Sequence, residues 1–388
     1  MFETAHEQPN SAPAVSPSQS TEQSSHPSGP LSQSRFDPIS GNWTIFAPQR
    51  SERPDDYIDS VSKIKTDVQC PFCRGNESVT PEAVWSKHIP ETDRLFSNIS
   101  CAEEEIEPWS VRVVPNKYPA VESLSQDRTP LQFPASSMGD LFQAEPIYGG
   151  HEVIIETPRH FHSLTELDIA EIDLVFQAYR DRIRHYRAME EIRYINVFKN
   201  VGHDAGASLS HSHSQLVAVN RVPRAIETMA ERMKRHRAKT GCCLRCDIIR
   251  AERKSNERII AADRDCIAYC PFASNLPMLV RITTLEHQAC FEDLGDRTLE
   301  SVSRMVLRVV SWLEKIRPGA AYNFCLNTRP PGIDDPSDAF HWSIDIFPRI
   351  TQIAGFEWTS GCMINPVLPE AAARLFSKCA AASNPRRM

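Results

Sequence analysis

The sequence predicts a duplicated α+β fold, in which two similar halves each combine β-strands with one long helix. Each half contains, in the same order, a C-x-x-C pair, a strand followed by a histidine, a helical segment, an N-x-x-x-N strand and a strand bearing a histidine. The N-x-x-x-N strands, 196–200 and 323–327, are 127 residues apart, and the same interval separates His160 from His287. Because these features recur in one order, we interpret the chain as two copies of one unit.

The length of 388 residues and the hydrophobic content of 41% are sufficient for a sizeable core. Residues 1–34 are the exception, since they are rich in Ser, Pro, Gln and Glu and show no apolar periodicity. The sequence therefore predicts three parts: a disordered tail over 1–34, an N-terminal half over 35–222 and a C-terminal half over 223–388.

Composition also limits the classes of function. The tail has no apolar signal region and the chain has no run of 18 apolar residues, so we expect neither secretion nor a membrane span, and a cytoplasmic location. The net charge of −7 argues against a nucleic-acid partner. We expect the 12 cysteines to be thiols, with any clustered ones serving a metal or catalytic role.

The N-terminal half begins with a strand, a Gly-Asn turn, a second strand and a basic loop over 35–54. A helix is predicted to begin near Thr165, in a T-E-L-D capping box, and to run through residue 189, because apolar residues recur at helical spacing over 169–189. Further strands are predicted within 110–121, 151–168, 195–202 and 206–219.

The C-terminal half repeats this order. A strand is predicted near 266–272, another ends at His287, and an amphipathic helix runs from about Leu294 to Ile316. Two more strands are predicted within 323–330 and 341–350.

The segment HSHSQ carries the first chemical signal. Side chains alternate faces along a strand, so His211, His213 and Gln215 share one face at intervals of about 6.6 Å, and the serines between them face the other way. This pattern indicates that the three side chains act on one object. Two surface histidines on an edge strand are the alternative interpretation.

Residues that suit phosphate lie nearby in the sequence. Gly206, Ala207 and Ser208 offer small side chains and free backbone N–H groups of the kind that cradle phosphate. Arg50, Arg53 and Lys117 are suited to pairing with phosphate or carboxylate, although a solvated basic loop would explain them equally well.

The two C-x-x-C pairs have the spacing by which two thiolates reach one tetrahedral Zn²⁺. A redox dithiol or two buried cysteines are the alternatives, and Cys242, Cys266 and Cys270 are competing thiols in the second half. The candidate ligands of the first site are Cys70, Cys73, His160 and His211, and those of the second are Cys243, Cys246, His287 and His341.

If a metal holds His211, then His213 remains free beside the phosphate cradle and becomes the candidate nucleophile. A neutral imidazole attacks phosphorus near pH 7 when a fixed acceptor holds its other nitrogen as a donor. Gln215 would then donate its amide N–H to a phosphate oxygen as charge builds in the transition state. The metal would be structural, with no open coordination position.

Several of these motifs together resemble the galactose-1-phosphate uridylyltransferase family of the HIT superfamily. They are HSHSQ with GAS upstream, CPFC, RFDPISGNWTIFAPQRSERP, VRVVPNKYPAV and AGFEW, and the resemblance runs from about Arg35 to Leu375. The resemblance implies a duplicated HIT-like fold, in which each half has an antiparallel sheet and a long helix, and a homodimer.

The resemblance also implies ping-pong transfer of a nucleoside monophosphate through a nucleotidyl-histidine on His213. His211 would bind zinc through its ring and hold the other nitrogen of His213 with its backbone carbonyl, while Cys70, Cys73 and His160 complete the site. The residues that would line the nucleotide and its phosphates are Arg50, Arg53, Asn116, Asn200, Ser208 and Gln215. Gly355, Phe356 and Glu357 would approach the sugar.

Two departures bear on the substrate. Family members that act on galactose read H-P-H-G-Q, whereas Ser212 and Ser214 replace Pro and Gly here, and the segment after Glu357 lacks an expected Gln. Both departures, and the second knuckle with His287 and His341, are similar to the ADP-glucose phosphorylase branch.

The leading hypothesis is uridylyl transfer between UDP-glucose and a hexose 1-phosphate such as galactose 1-phosphate. The alternatives are ADP-glucose phosphorolysis with inorganic phosphate as acceptor, a nucleotide hydrolase, and a zinc-stabilised nucleotide-binding protein without turnover.

Overall fold

The computed structural model describes residues 32–52, 70–89, 108–123 and 145–382. None of the helices in these ranges is both long enough and apolar enough to cross a membrane. The strands are β1 (Gln33–Phe36), β2 (Trp43–Phe46), β3 (Trp85–Lys87), β4 (Val111–Pro115), β5 (Glu122–Ser123), β6 (Tyr148–Ile155), β7 (Tyr194–Val201), β8 (His213–Val219), β9 (Ile259–Ala262), β10 (Cys266–Tyr269), β11 (Val280–Thr284), β12 (Tyr322–Asn327), β13 (Ser343–Pro348) and β14 (Met363–Asn365). The helices are α1 (Ile169–Arg187), α2 (Arg224–Thr240), α3 (Leu244–Ser255), α4 (Asp296–Ile316), α5 (Gly355–Ser360) and α6 (Pro369–Ala382).

One continuous sheet joins the two halves. Its order is β3-β4-β6-β8-β7-β12-β13-β11-β10-β9, with neighbours along this path antiparallel and β5 added parallel to β6. The halves meet where β7 pairs with β12, and there Phe198 lies opposite Cys325, its equivalent at the 127-residue interval. A residue that pairs with its own equivalent lies on a local two-fold axis. The predicted duplicated α+β fold is therefore confirmed.

The two faces of the central strands differ in chemistry. Val197, Leu326 and Ile344 are fully buried and belong to the main core, together with apolar residues of α1 and α4. The alternate positions, among them Asn200 and Gln215, are only partly buried. Because alternate side chains point to opposite faces, one face carries the helices and the other, which we call the open face, is left for function.

Helix α1 begins at Ile169, four residues after the predicted start. Asp168 is its N-cap, and the Asp168 side chain accepts a hydrogen bond from the backbone N–H of Glu171, whose carboxylate accepts one from the Asp168 N–H. Thr165 lies instead in a separate 3-10 turn, Leu164–Glu166, which Ser163 caps. The predicted start was wrong because Thr165 belongs to this separate turn, and the N-cap of the helix is Asp168.

Other boundaries also differ from prediction. Strand β8 begins at His213 rather than at residue 206, since Gly202 and Gly206 have φ of +83° and +88° and turn the chain. Strand β11 ends at Thr284, before His287. Of the predicted tail, residues 1–31 lie outside the described residues, whereas Gln33 and Ser34 pair with β2 and belong to the fold.

The hairpin β1-β2 packs on the C-terminal half, although chain order assigned it to the N-terminal half. Strand β14 pairs with β2 in parallel. The Arg35 guanidinium lies 2.8 Å from Glu370 and 4.5 Å from the centroid of the Phe272 ring. The hairpin therefore contacts residues of the C-terminal half, and the boundary at residue 222 stays a prediction.

Candidate active site and metal clusters

The four candidate ligands of the first cluster come together as predicted. The ligand atoms of Cys70, Cys73, His160 and His211 all lie within 4.8 Å of one another, and CPFC forms a tight turn in which the Cys73 N–H donates to the Cys70 carbonyl at 3.3 Å. The cysteine Sγ atoms lie 3.3–3.6 Å from the histidine Nδ1 atoms. Zn–S and Zn–N bonds of about 2.3 and 2.0–2.1 Å, at a tetrahedral angle, would place a sulfur and a nitrogen ligand about 3.5 Å apart. The cluster therefore fits one tetrahedral metal ion.

Backbone contacts orient His211 toward this cluster. Its Nε2 lies 2.9 Å from the Thr157 carbonyl, which can only accept, so Nε2 carries the proton and Nδ1 is left as the metal ligand. His211 precedes β8 and is 1% exposed. The ligand role suggested by the sequence thus agrees with the position of the side chain, although strand alternation does not reach this residue.

His213 is held differently from its neighbour. Its Nδ1 lies 2.7 Å from the His211 carbonyl, so Nδ1 is the protonated nitrogen and the Nε2 lone pair is left free. Within the described residues no hydrogen bond occupies Nε2. Burial lowers the pKa of His213, which keeps the imidazole neutral near pH 7. The ring of Phe72, from the CPFC turn, lies 5.3 Å away and fixes one side of the imidazole.

Gln215 lies on the same face, and His151 of β6 orients its amide. The Ala120 N–H donates to His151 Nδ1 at 3.1 Å, so Nε2 is protonated and donates to Gln215 Oε1 at 2.8 Å. The Gln215 amide oxygen is thereby engaged and its NH₂ group is left to donate to a ligand. Asn116 lies alongside, with Nδ2 3.1 Å from His151 Nε2.

No motif in the sequence singles out His151 as a functional residue. The only local signal is that His151 shares a strand face with Val153 and Ile155, and Ile155 pairs with His213. Its partner Gln215 is 64 residues away, so spacing along the chain does not reveal the contact.

Replacing His151 by Phe is expected to lower about tenfold the nucleotidyl transfer that the family resemblance implies, because Gln215 loses the hydrogen-bond donor that orients its amide. Steady-state rates with a nucleotide sugar measure the effect. In a Gln215→Ala background the same replacement is expected to have no further effect, since the group that it positions is gone. Additive losses in the double variant would show that His151 acts independently of Gln215.

Asn200 and the GAS loop lie next to this group. The Asn200 Oδ1 accepts a hydrogen bond from Asn323 Nδ2 at 2.8 Å across the β7–β12 junction. A Cβ added at Gly206 would lie 3.6 Å from Asn200 Nδ2. Since Phe198 pairs with Gln215, the same register carried two residues further places Asn200 opposite His213.

The serines of HSHSQ belong to a buried polar network behind β8. The Glu156 carboxylate is completely buried and accepts from Lys199 Nζ at 2.6 Å, from Ser212 Oγ at 2.6 Å and from Ser214. Lys199 also donates to the His213 carbonyl at 3.1 Å. Burial acts to raise the pKa of Glu156, but Lys199 and the serines lower it below its usual value. The two serines thus satisfy a buried ion pair that supports the backbone of His213.

Replacing Lys199 by Met is expected to cost about 3–5 kcal/mol of unfolding free energy, because it leaves a buried carboxylate unpaired. Urea unfolding measures this difference. The matched control Lys87→Met removes an exposed lysine that lies 3.2 Å from Asp181, and we expect a cost of about 0–1 kcal/mol. Equal costs for the two variants would contradict the role assigned to Lys199.

The second cluster repeats the first in the C-terminal half. The ligand atoms of Cys243, Cys246, His287 and His341 lie within 4.8 Å of one another, and Cys246 Sγ is 3.6 and 3.5 Å from the Nδ1 atoms of the two histidines. Cys243 is the N-cap of α3, so this knuckle opens a helix. Cys266, a competing thiol in the sequence, contacts Ser301 Oγ at 3.4 Å instead.

Several predicted residues are not joined to His213 by any described contact. Arg50 and Lys117 are exposed, as are Gly206 and Ser208, while Ala207 is partly buried. Arg53 lies outside the described residues. Gly355, Phe356 and Glu357 form the first turn of α5, and their hydrogen bonds within the described ranges stay within 354–361.

Comparison with known proteins identifies the family. The family model described as galactose-1-phosphate uridyl transferase, N-terminal domain, matches residues 23–223, which is more than half of the chain. The chain belongs to this family. A second model, a domain of unknown function (DUF4921), matches residues 136–383. As a member of the uridyl transferase family the protein is a nucleotidyltransferase, which confirms the predicted enzyme class.

Individual relatives extend over nearly the whole chain. An ADP-glucose phosphorylase from Arabidopsis thaliana is 30% identical over 88% of this chain and 91% of its own length. A galactose-1-phosphate uridylyltransferase from Thermotoga maritima is 24% identical over 88% of this chain and 96% of its own length. The crystal structure of an Arabidopsis thaliana ADP-glucose phosphorylase with bound ADP-glucose has a TM-score of 0.73 at 28% identity, covering 90% of this chain and 99% of that one. Both activities considered from the sequence thus occur among the relatives.

Proposed function

We propose that the protein moves a nucleoside monophosphate from a nucleotide sugar to a second phosphate through a nucleotidyl-histidine on His213. The observation that carries this proposal is the hydrogen bond between His213 Nδ1 and the His211 carbonyl, which leaves the Nε2 lone pair free. A nucleophilic imidazole needs this tautomer.

In the first step Nε2 of His213 attacks the α-phosphorus and forms a P–N bond. The bond between that phosphorus and the bridging oxygen breaks, and sugar 1-phosphate leaves with the electron pair. In the second step an oxygen of the acceptor phosphate attacks the same phosphorus, and the P–N bond breaks to return a neutral imidazole. The His211 carbonyl stabilises the positive charge on the ring, and the Gln215 NH₂ group donates to the phosphate oxygens.

Zn²⁺ is the metal that we propose for both clusters, because two thiolates and two imidazoles in tetrahedral arrangement suit it. When bound, it would hold the knuckle and His211 in place, with no coordination position left for substrate. The residues that would hold it are Cys70, Cys73, His160 and His211 in one cluster and Cys243, Cys246, His287 and His341 in the other.

For the substrates we propose ADP-glucose and inorganic phosphate. This choice is supported by the relative that is 30% identical over 88% of the chain, and by Ser212 and Ser214 in place of Pro and Gly. Uridylyl transfer from UDP-glucose to galactose 1-phosphate, the leading hypothesis from sequence, is the second candidate, supported by the family model and the Thermotoga relative.

We expect the remaining predicted residues to serve these substrates. Arg50, Arg53, Asn116, Asn200 and Ser208 would line the nucleotide, with Gly206 and Ala207 at the phosphates. Gly355, Phe356 and Glu357 would approach the sugar. A homodimer and a cytoplasmic location stay predictions from the sequence.

Incubation with ADP-glucose or UDP-glucose carrying ³²P at the α-phosphate, without acceptor, is expected to leave acid-labile label on His213. Addition of phosphate or galactose 1-phosphate then releases the label, and the faster acceptor identifies the second substrate. A nucleotide hydrolase would lose the label to water. A protein that binds without turnover would take up no label from either nucleotide sugar, and that result would overturn the proposal.

A further inference from the structure

The C-terminal half contains a cavity at the place equivalent to the catalytic site. Since His211 corresponds to His341 in the two clusters, Ser343 takes the place of His213 and Asp345 that of Gln215. Ser343 and Asp345 line a cavity of about 300 Å³ on the open face, together with Asn327, which pairs with Ser343. The two-fold relation between the halves therefore places a second pocket where the first half has its nucleophile.

The guanidinium of Arg245 replaces the imidazole in this second pocket. Arg245 Nε donates to the His341 carbonyl at 3.0 Å, just as His213 Nδ1 donates to the His211 carbonyl at 2.7 Å. Arg245 also lines the cavity and is 1% exposed. The carbonyl that orients the nucleophile in one half thus orients a fixed cation in the other.

Two polar groups in this pocket lack partners within the described part of the chain. Arg245 Nη1 and Ser343 Oγ are buried and make no hydrogen bond there. Arg245 also forms none of the ion pairs that the described residues make. A buried, unpaired cation and a buried, unpaired hydroxyl are both costly, so a ligand with acceptor oxygens would be stabilised at this point.

The other charged groups of the pocket already have hydrogen-bond partners. Arg281 and Asp345 form a bidentate pair with distances of 2.6 and 2.7 Å. The Asp37 carboxylate accepts hydrogen bonds from the backbone N–H groups of Ile39 and Ser40 at 3.0 and 3.2 Å. The charged group that keeps an unpartnered hydrogen-bond donor, within the described residues, is therefore the guanidinium of Arg245.

We propose that this cavity is a second ligand site, which binds a phosphomonoester anion without nucleotidyl transfer. Arg245 and Ser343 would donate to the phosphate oxygens, and the apolar lining residues Ile39, Trp43 and Met229 would contact the carbon-bearing part of the ligand. No imidazole corresponds to His213 here, so the pocket lacks a nucleophile. The site does not rest on the proposed function of the first half.

Equilibrium dialysis of the full, metal-loaded chain tests this site with three probes: inorganic phosphate, glucose 1-phosphate and AMP. For at least one of them, Arg245→Met is expected to bind one equivalent fewer than the wild-type chain. Ser343→Ala is expected to weaken that same equivalent at least fivefold. The control Arg235→Met, at an exposed arginine of α2, is expected to bind as the wild type does. A second equivalent of phosphate indicates an inorganic anion site, whereas one seen with AMP alone indicates a nucleotide site.

Metal content and the labelling of His213 are measured on the same variants to separate the two pockets. If Arg245→Met loses a metal ion, its loss of ligand binding has two explanations. Ser343→Ala then provides the test of the second pocket, because Ser343 lies outside the Cys243–Cys246 knuckle. Unchanged binding of all three probes in Ser343→Ala, or equal stoichiometry in wild type and a metal-loaded Arg245→Met, would overturn the inference. If His213 takes up no label but the wild-type chain still binds the ligand equivalent that depends on Arg245, the proposed function is refuted and the second ligand site is not.

Discussion

His213→Ala is expected to lose nucleotidyl transfer by about 10⁴–10⁶-fold, because the variant has no group that can form the P–N bond. Both metal clusters are expected to stay loaded, since His213 contacts the first cluster through the His211 backbone carbonyl and not through a ligand atom. Single-turnover assays with labelled nucleotide sugar measure the transfer, and elemental analysis measures the metal.

The matched control for this variant is His185→Ala. His185 is an exposed histidine on α1, and we expect its removal to leave both transfer and metal content unchanged. Loss of a metal ion in His213→Ala would mean that the roles of His211 and His213 are wrongly assigned.

Cys73→Ser is expected to reduce the metal content from two ions per chain to one and to lower transfer about 100-fold. A serine hydroxyl is a poor replacement for a thiolate, and without the metal the knuckle no longer holds His211. The His211 carbonyl accepts the hydrogen bond that sets the tautomer of His213. We therefore expect loss of the ion to disturb the orientation of the proposed nucleophile through this hydrogen bond. Metal analysis and transfer rates on the same preparation measure both effects.

Two further substitutions separate this effect from general damage. Cys246→Ser also removes one ion, but from the cluster of the other half, so transfer is expected to fall less than in Cys73→Ser. Cys325→Ser changes a partly buried thiol outside both clusters, and we expect both ions and full activity to remain. Full metal content in Cys73→Ser would contradict the ligand assignment.

The elements with strong local patterns were predicted correctly from sequence. Helix α4 was expected over Leu294 to Ile316 and lies at Asp296–Ile316, because its apolar residues keep a helical period throughout. Helix α1 was placed four residues too early, since a capping box at Ser163 imitates a helix start and the box at Asp168 is the true one. Local patterns therefore predict that an element exists better than where it begins.

The sequence by itself determines the chemistry that each half can offer. Cysteine pairs with two residues between them and histidines at alternate positions are local patterns, so the residues of both metal clusters and the candidate nucleophile His213 could be proposed from the sequence. The 127-residue interval between equivalent motifs likewise indicates the duplication, because both copies retain the order of their elements.

Only the tertiary structure decides how these groups are supported. His151 and Gln215 are 64 residues apart, Lys199 and Glu156 are 43 apart, and Arg245 meets the His341 carbonyl across 96 residues. Such contacts depend on which strands pair, in which register and on which face, and no periodicity in the chain specifies them. For that reason the candidate nucleophile could be proposed from the sequence, whereas the groups that orient it, and the cation in the equivalent place of the second half, are revealed only by the tertiary structure.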